Sequence, residues 1–79
     1  MIKQNQQKGV KFPENKKIAE TFKPGDRVTL AKYSGMSVYS IRSMSQGQRA
    51  FNDEVKKAII RLMTERNQLD QALEQIVNQ

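Results

Sequence analysis

The chain has 79 residues, the size of one small domain with a modest core. Its 14 lysine and arginine residues outnumber 8 aspartate and glutamate residues, giving a net charge of +6, and it contains neither cysteine nor histidine. This composition excludes a disulfide framework and thiolate chemistry, and it removes the usual metal ligand and general base. We therefore expect no enzyme activity, no metal and no cofactor.

Residues 1–12 are polar and basic and show no helical spacing of apolar side chains. We interpret them as a flexible arm, which either wraps toward a neighbouring DNA groove, as homeodomain arms do, or has no function. The opening lacks the apolar stretch of a secretory signal. No run approaches the roughly 20 apolar residues that span a bilayer. We expect a cytoplasmic, nucleoid-associated protein without membrane contact.

A first helix is predicted from about Pro13 or Glu14 to Phe22. Proline is tolerated in a first helical turn, and Ile18, Ala19 and Phe22 form one apolar face at helical spacing. Pro24 follows and ends this helix.

The spacing of three residues predicts a helix-turn-helix. Ala31 lies four residues before Gly35, and Ile41 follows six residues later. A small residue is needed where the helices cross, glycine tolerates the positive φ of the turn, and Ile41 returns an apolar side chain to the core. The remaining predicted core residues of the motif are Leu30, Met36 and Met44.

Capping residues set the predicted limits of these two helices. Asp26 is predicted to cap a second helix over about 27–34, and Ser37 a third over about 38–45. Gly47 is predicted to close the third helix. Together with the turn, these signals give two short helices followed by a polar, basic exit.

The third helix is left with polar side chains on its outward face. A helix carrying such donors can enter a DNA major groove and meet base edges. Arg42 is the best base-reading candidate because a guanidinium binds guanine in a bidentate way, although a phosphate contact or no contact is an equal alternative. Tyr39 either contacts the sugar-phosphate backbone or packs half-buried. The outward residues are Tyr39, Ser40, Arg42 and Ser43.

A long fourth helix is predicted after Asn52, its N-cap, with Asp53 and Glu54 suiting the first turn. Its apolar stripe allows two interpretations: one long helix whose end pairs with a second copy, or a break near 67–68 that folds back on the core. We favour a dimer contact through 65–77, since a lone helix of that length is marginal. The stripe comprises Val55, Ile59, Leu62, Met63, Leu69, Leu73 and Ile76, with Arg66 in the seam.

These elements predict an all-α protein, a four- to five-helix bundle built around the helix-turn-helix. We divide it into a basic arm (1–12), a DNA-binding domain (13–64) and a helical extension (65–79). The charge is segregated accordingly: net +4 over 1–25, +3 over 26–51 and −1 over 52–79. The positive field therefore lies where a polyanion would bind.

The segment VTLAKYSGMSVYSIRSMSQGQR, residues 28–49, resembles the DNA-binding headpiece of the lactose-repressor family. It is equally similar to the phage repressor and Cro superfamily, and the likeness covers about 26–64. The chain lacks the large ligand-binding domain and the recognisable hinge of the lactose repressors, so no small-molecule ligand is inferred.

The resemblance implies which side chains meet DNA. Base readout falls on the outer face of the third helix, where Val38 offers at most a contact to a thymine methyl. Phosphate contacts fall on the flanks of the motif. The predicted base-reading residues are Val38, Tyr39, Arg42 and Ser43. The predicted phosphate contacts are Arg27, Lys32, Ser37, Ser40, Gln48 and Arg49.

The leading hypothesis is a sequence-specific regulator of the small repressor type, acting as a homodimer on double-stranded DNA. One alternative is an adaptor or antirepressor that binds another protein through the helix over 52–77. Another is an architectural protein that binds DNA with little sequence preference.

Overall fold

The computed structural model describes residues 10–78, and within that range every regular element is an α-helix. The prediction of an all-α bundle ending in a long helix is confirmed, and residues 10–78 contain four helices. They are α1 (Pro13–Ala19), α2 (Asp26–Ser34), α3 (Val38–Ser45) and α4 (Asp53–Val77). Helix α2 packs against both α3 and α4, and α1 packs against α3.

The turn between α2 and α3 has the predicted geometry. Gly35 has a φ of 75°, and its N–H donates to the Ala31 carbonyl at 2.9 Å. A left-handed conformation here is cheap only for glycine. The Ser37 hydroxyl then accepts the Ser40 N–H at 3.0 Å and caps α3. The chain therefore leaves one helix and enters the next within three residues.

The first helix is shorter than predicted. It ends at Ala19, and Phe22 lies beyond it in a tight turn in which its N–H donates to the Ala19 carbonyl. The Thr21 hydroxyl also donates to the Ile18 carbonyl at 2.6 Å. Pro24 restricts only Lys23, the residue before it, whereas the bonds of this turn, each spanning three residues, already replace the helical pattern after Ala19.

The prediction that Asp26 caps α2 is wrong. The N-cap position is Gly25, and Asp26 is the first residue of the helix, with its side chain buried. One carboxylate oxygen accepts the Lys23 N–H at 2.7 Å, and the other accepts from the Arg66 guanidinium at 2.7 Å. A buried carboxylate needs a charge partner, which the fold supplies from α4, 40 residues away along the chain.

One compact core holds α2, α3 and α4 together. Leu30, Ile41 and Val55 are each 0% exposed, so α2, α3 and α4 all contribute fully buried side chains. Burying an aliphatic side chain stabilises a fold by about 1.5–3 kcal/mol. The other buried apolar residues are Met44, Phe51, Ala58 and Leu62.

Helix α4 is continuous from Asp53 to Val77, so the alternative with a break near 67–68 is wrong. Asn52 caps it as predicted, since its side-chain oxygen accepts the Val55 N–H at 2.8 Å. Arg66 does not occupy an intermolecular seam, because its guanidinium is paired with Asp26 in the same chain. Beyond that pair every residue of α4 is exposed.

Tyr33 joins α2 to α4 from the side. Its hydroxyl donates to Glu65 at 2.6 Å, and the Arg61 guanidinium lies 3.7 Å from the centre of its ring. The hydrogen bond to Glu65 raises the pKa of Tyr33 above its ordinary value. The tyrosine is thus a packing residue between the helices.

Most of the predicted arm, residues 1–9, lies outside the described residues. We call residues 13–66, up to the point where α4 becomes fully exposed, the body. The described end of the arm is attached to it: Lys11 and Phe12 each donate a backbone N–H to the Gly47 carbonyl at 3.0 Å. We call this pair of contacts across the end of α3 the strap. It was not predicted, because residues 1–12 carry no apolar pattern that indicates a contact with the body.

Candidate nucleic-acid interface

Helix α3 presents a polar face to solvent because its other face is fixed in the core. Ile41, Met44 and Ser45 are buried, and the Ser45 hydroxyl donates to the Ile41 carbonyl at 2.7 Å. Residues three or four apart share a helix face, so the buried positions leave Tyr39 and Arg42 pointing away from the body. The rotation of α3 about its axis is thereby set by packing.

The predicted base-reading residues are all on α3 but are not equally accessible. Tyr39 is 77% exposed and Arg42 is exposed, whereas Val38 and Ser43 are half-buried. Gln46 is also exposed, three residues after Ser43 and four after Arg42. Helical spacing places it on the same face. Gln46 is not among the predicted base-reading residues, although its spacing of four residues from Arg42 indicates this face.

The N-terminal end of α3 carries the two serines that were predicted to contact phosphate. The Ser37 hydroxyl already serves as the helix cap, and it lies 3.0 Å from the Ser40 hydroxyl. Unsatisfied N–H groups and the helix dipole favour an anion at such an end. Ser40, accepting from Ser37, keeps its own O–H available as a donor.

The exit of α3 is held by a residue that the sequence analysis missed. The Asn15 side-chain amide is buried and donates to the carbonyls of Met44 at 3.1 Å and Arg49 at 3.0 Å. It ties α1 to both ends of the exit, so the segment carrying Gln48 and Arg49 has a defined path. A lone asparagine among polar residues gives no sequence signal for such a role.

Gly47 closes α3 as predicted and is required on two counts. Its φ is +85°, and a Cβ at this position would lie 2.8 Å from the Phe12 carbonyl oxygen. The following Gln48 N–H donates back to the Ser43 carbonyl at 3.1 Å, and its side chain lies 3.4 Å from the Ser43 hydroxyl. Two predicted DNA-contacting side chains are thus in contact with each other.

The three basic residues predicted to contact phosphate occupy different settings. Lys32 and Arg49 are exposed, Lys32 in the last turn of α2, where a cation also suits the helix dipole. Arg27 is half-buried over the Phe22 ring, with 5.5 Å between guanidinium and ring centre. Its Nε is buried and has no hydrogen-bond partner among residues 10–78.

The Arg27 side chain lines a shallow hollow between α1, α2 and the end of α3. The hollow is also lined by Lys16, Glu20 and Gln46. Two cations and an amide donor therefore lie beside the C-terminal end of the exposed α3 face. An anionic oxygen is the acceptor that such a set would accommodate.

Net charge over the described part of the chain follows the same division. Residues 10–51 contain eight basic and three acidic residues, and one of the acids, Asp26, is neutralised by Arg66. The body that carries α3 is therefore positively charged, which attracts polyanions.

Comparison with protein-family profiles, curated proteins and solved structures gives no match. Among residues 10–78, no helix has both the length and the apolar content needed to cross a membrane. Over the same residues there is no cluster of three or more side chains able to hold a metal ion.

Proposed function

We propose that this protein is a sequence-specific DNA-binding regulator that places α3 in the major groove. The observation that carries the proposal is the solvent-facing side of α3, where Tyr39 and Arg42 project from a helix locked by its buried face and Gln46 follows at its C-cap. Exposed donors on a rigid recognition helix are the means by which such motifs read base edges.

Binding would combine two kinds of contact. Arg42 supplies a bidentate pair to guanine O6 and N7, while Tyr39 and Gln46 reach neighbouring bases or sugars. Arg27, Ser40 and Arg49 bind backbone phosphates and fix the orientation of the helix. A homodimer bound to a two-fold site would place two α3 helices one helical turn, about 34 Å, apart.

Salt dependence follows from the phosphate contacts. A dimer with roughly six to ten of them should lose about a thousandfold or more in affinity between 50 and 200 mM salt. The location expected for such a protein is the cytoplasm, in association with the nucleoid.

The test is selection of bound duplexes from a random DNA library by the full chain at near-physiological salt. Recovery of an enriched two-fold sequence supports the proposal. Binding without enrichment would replace it with the architectural alternative, and absence of binding even at low salt would favour the protein-binding adaptor.

A further inference from the structure

The face of α4 that covers the core continues past the body. Val55, Ala58 and Leu62 are buried at its first half. At the same helical spacing, Leu69, Leu73 and Ile76 follow, and their exposed fractions are 61%, 53% and 65%. We call these three side chains the tail stripe. A stripe of this kind on a helix that projects into solvent is typical of a protein contact.

A second apolar surface lies on the body. It is an open groove of about 520 Å³ between α1, the loop before α4 and one side of α4. Ile18 and Ile60, two of its lining residues, are 38% and 65% exposed. We call it the body groove. Its other lining residues are Phe12, Glu14, Asn15, Ala50, Phe51, Lys56 and Ile59.

The tail stripe cannot reach the body groove of its own chain. Both are on α4, which is one unbroken helix, and Leu73 lies 13 residues beyond Ile60. At 1.5 Å per residue this separation is about 20 Å along the axis. The two apolar surfaces can therefore meet only between molecules.

Charge favours a second copy whose α4 runs in the opposite direction. The charged residues between 67 and 77 are Asp70 and Glu74, whereas residues 13–66 contain eleven basic and six acidic residues. Antiparallel α4 helices bring the acidic tail of each copy beside the positively charged body of the other. A parallel pair would instead place Asp70 and Glu74 beside their own copies, which is repulsive.

The area requirement points the same way. A specific interface buries about 800 Å² on each partner. The segment 67–77 is only about 17 Å long and offers three stripe side chains, which is too little by itself. If the two α4 helices overlap, each tail stripe covers the body groove of the other copy, and the groove residues add to the buried area. The two-fold symmetry then forms this contact twice.

We propose that a second copy of this chain covers these surfaces, with antiparallel α4 helices and each tail stripe seated in the body groove of the other copy. This arrangement defines the interface of the homodimer named under the proposed function. It does not require DNA, so it is tested in the absence of DNA, and either proposal can fail without the other.

The first test is sedimentation equilibrium of the full chain at about 1 to 200 µM without DNA. The wild type should form a dimer in this range. Leu73→Asp and Ile60→Asp should each weaken dimerisation by at least about tenfold, because either carboxylate would be buried without a partner. Both positions are exposed in the single chain, so helical circular dichroism should be unchanged.

Gln71→Asp is the matched control. It adds the same charge to the same tail, but position 71 is exposed and lies two residues from both Leu69 and Leu73, on another side of the helix. Its dimer should persist. A wild type that stays monomeric to 200 µM, or equal weakening by Gln71→Asp and Leu73→Asp, would overturn the proposal.

Direction is tested by disulfide formation, since the chain has no cysteine of its own. Mixing Ile60→Cys with Leu73→Cys under mild oxidation should give predominantly the mixed disulfide. Predominant Leu73→Cys homodimers would instead indicate parallel tails and contradict the antiparallel arrangement.

Discussion

The two halves of α4 share one apolar stripe but lie in opposite environments. Leu62 and Leu69 are seven residues apart on the same helix face, yet Leu62 is 8% exposed and Leu69 is 61% exposed. The first half completes the core beneath the helix-turn-helix, and the second half projects beyond it. Periodicity therefore identifies which face of a helix is apolar, whereas tertiary packing decides what covers that face.

This difference separates the two proposals. The first half of α4 supports the body that presents α3, so changes there should affect folding and hence any DNA binding. The second half contributes nothing to the described core, so changes there should affect self-association alone. The following predictions test this separation, from the largest expected effect to the smallest.

Substituting the matched leucines should give unequal losses of stability. Leu62→Ala removes a core side chain and should lower the free energy of unfolding by about 2–5 kcal/mol. Leu69→Ala should change it by less than about 0.5 kcal/mol. Chemical denaturation below about 1 µM protein measures both for the monomer. Equal losses would show that the tail is packed against the body and would abolish the distinction.

Breaking the ion pair between Asp26 and Arg66 should lower the free energy of unfolding almost as much. Asp26→Asn leaves the mostly buried Arg66 guanidinium without its charge partner and should cost about 3 kcal/mol of unfolding free energy. Glu20→Gln, an exposed carboxylate nearby in sequence, is the control and should cost less than about 0.5 kcal/mol.

The same pair predicts an acid-dependent loss of stability. Burial acts to raise the pKa of Asp26, but the hydrogen bonds from Arg66 and Lys23 outweigh it and hold that pKa below its ordinary value. A carboxyl group whose pKa is lowered by folding stabilises the fold at pH values above its unfolded-state pKa of about 3.9. This stabilisation is lost as the pH falls through the folded-state pKa. Unfolding free energy should therefore decline below about pH 4, and less steeply in Asp26→Asn. Identical slopes would argue against this role for the pair.

Two glycine substitutions should separate backbone strain from steric contact at the ends of α2 and α3. Gly35→Ala places a Cβ in open space at positive φ and should cost about 1 kcal/mol. Gly47→Ala adds the 2.8 Å approach to the Phe12 carbonyl and should cost about 2–3 kcal/mol. If the two costs are equal, the strap formed by Lys11 and Phe12 is not rigid.

Arg42 should affect DNA binding without affecting stability. Arg42→Ala is expected to cost about 1–3 kcal/mol on the selected duplex and to relax one base position. Arg42→Lys keeps the charge but loses bidentate geometry, so it should relax that position too. Full retention of sequence preference by both variants would remove Arg42 from base readout.

Local signals predicted the part of the fold that local chemistry controls. Several features could be predicted from sequence because each acts within a few residues. They are the spacing of Ala31, Gly35 and Ile41, the caps Ser37 and Asn52, and Gly47 at the end of α3. The buried roles of Asp26 and Asn15 could not be predicted, since the Arg66 partner of Asp26 lies 40 residues away and both partners of Asn15 lie at least 29 residues away along the chain. A short polar residue serves equally well as a cap or as a buried bridge, and only packing selects between them.

Much of the candidate site was predictable for the same reason. Helical spacing from the buried Ile41 identifies the outward face of α3 and its Tyr39 and Arg42. The setting of Arg27 was not predictable, because its hollow is assembled from three helices. Phe22, the ring that Arg27 covers, lies beyond the end of α1, which the apolar spacing did not indicate.

The central claim, that α3 enters the major groove, is tested most directly by cleavage of DNA from a tethered chelate. Because the chain lacks cysteine, Ser43→Cys and Gln71→Cys each carry a single iron chelate that cuts nearby strands on the selected duplex. The account predicts cuts within the site from position 43 and none there from position 71. Cleavage within the site from position 71 but not from position 43 would contradict it.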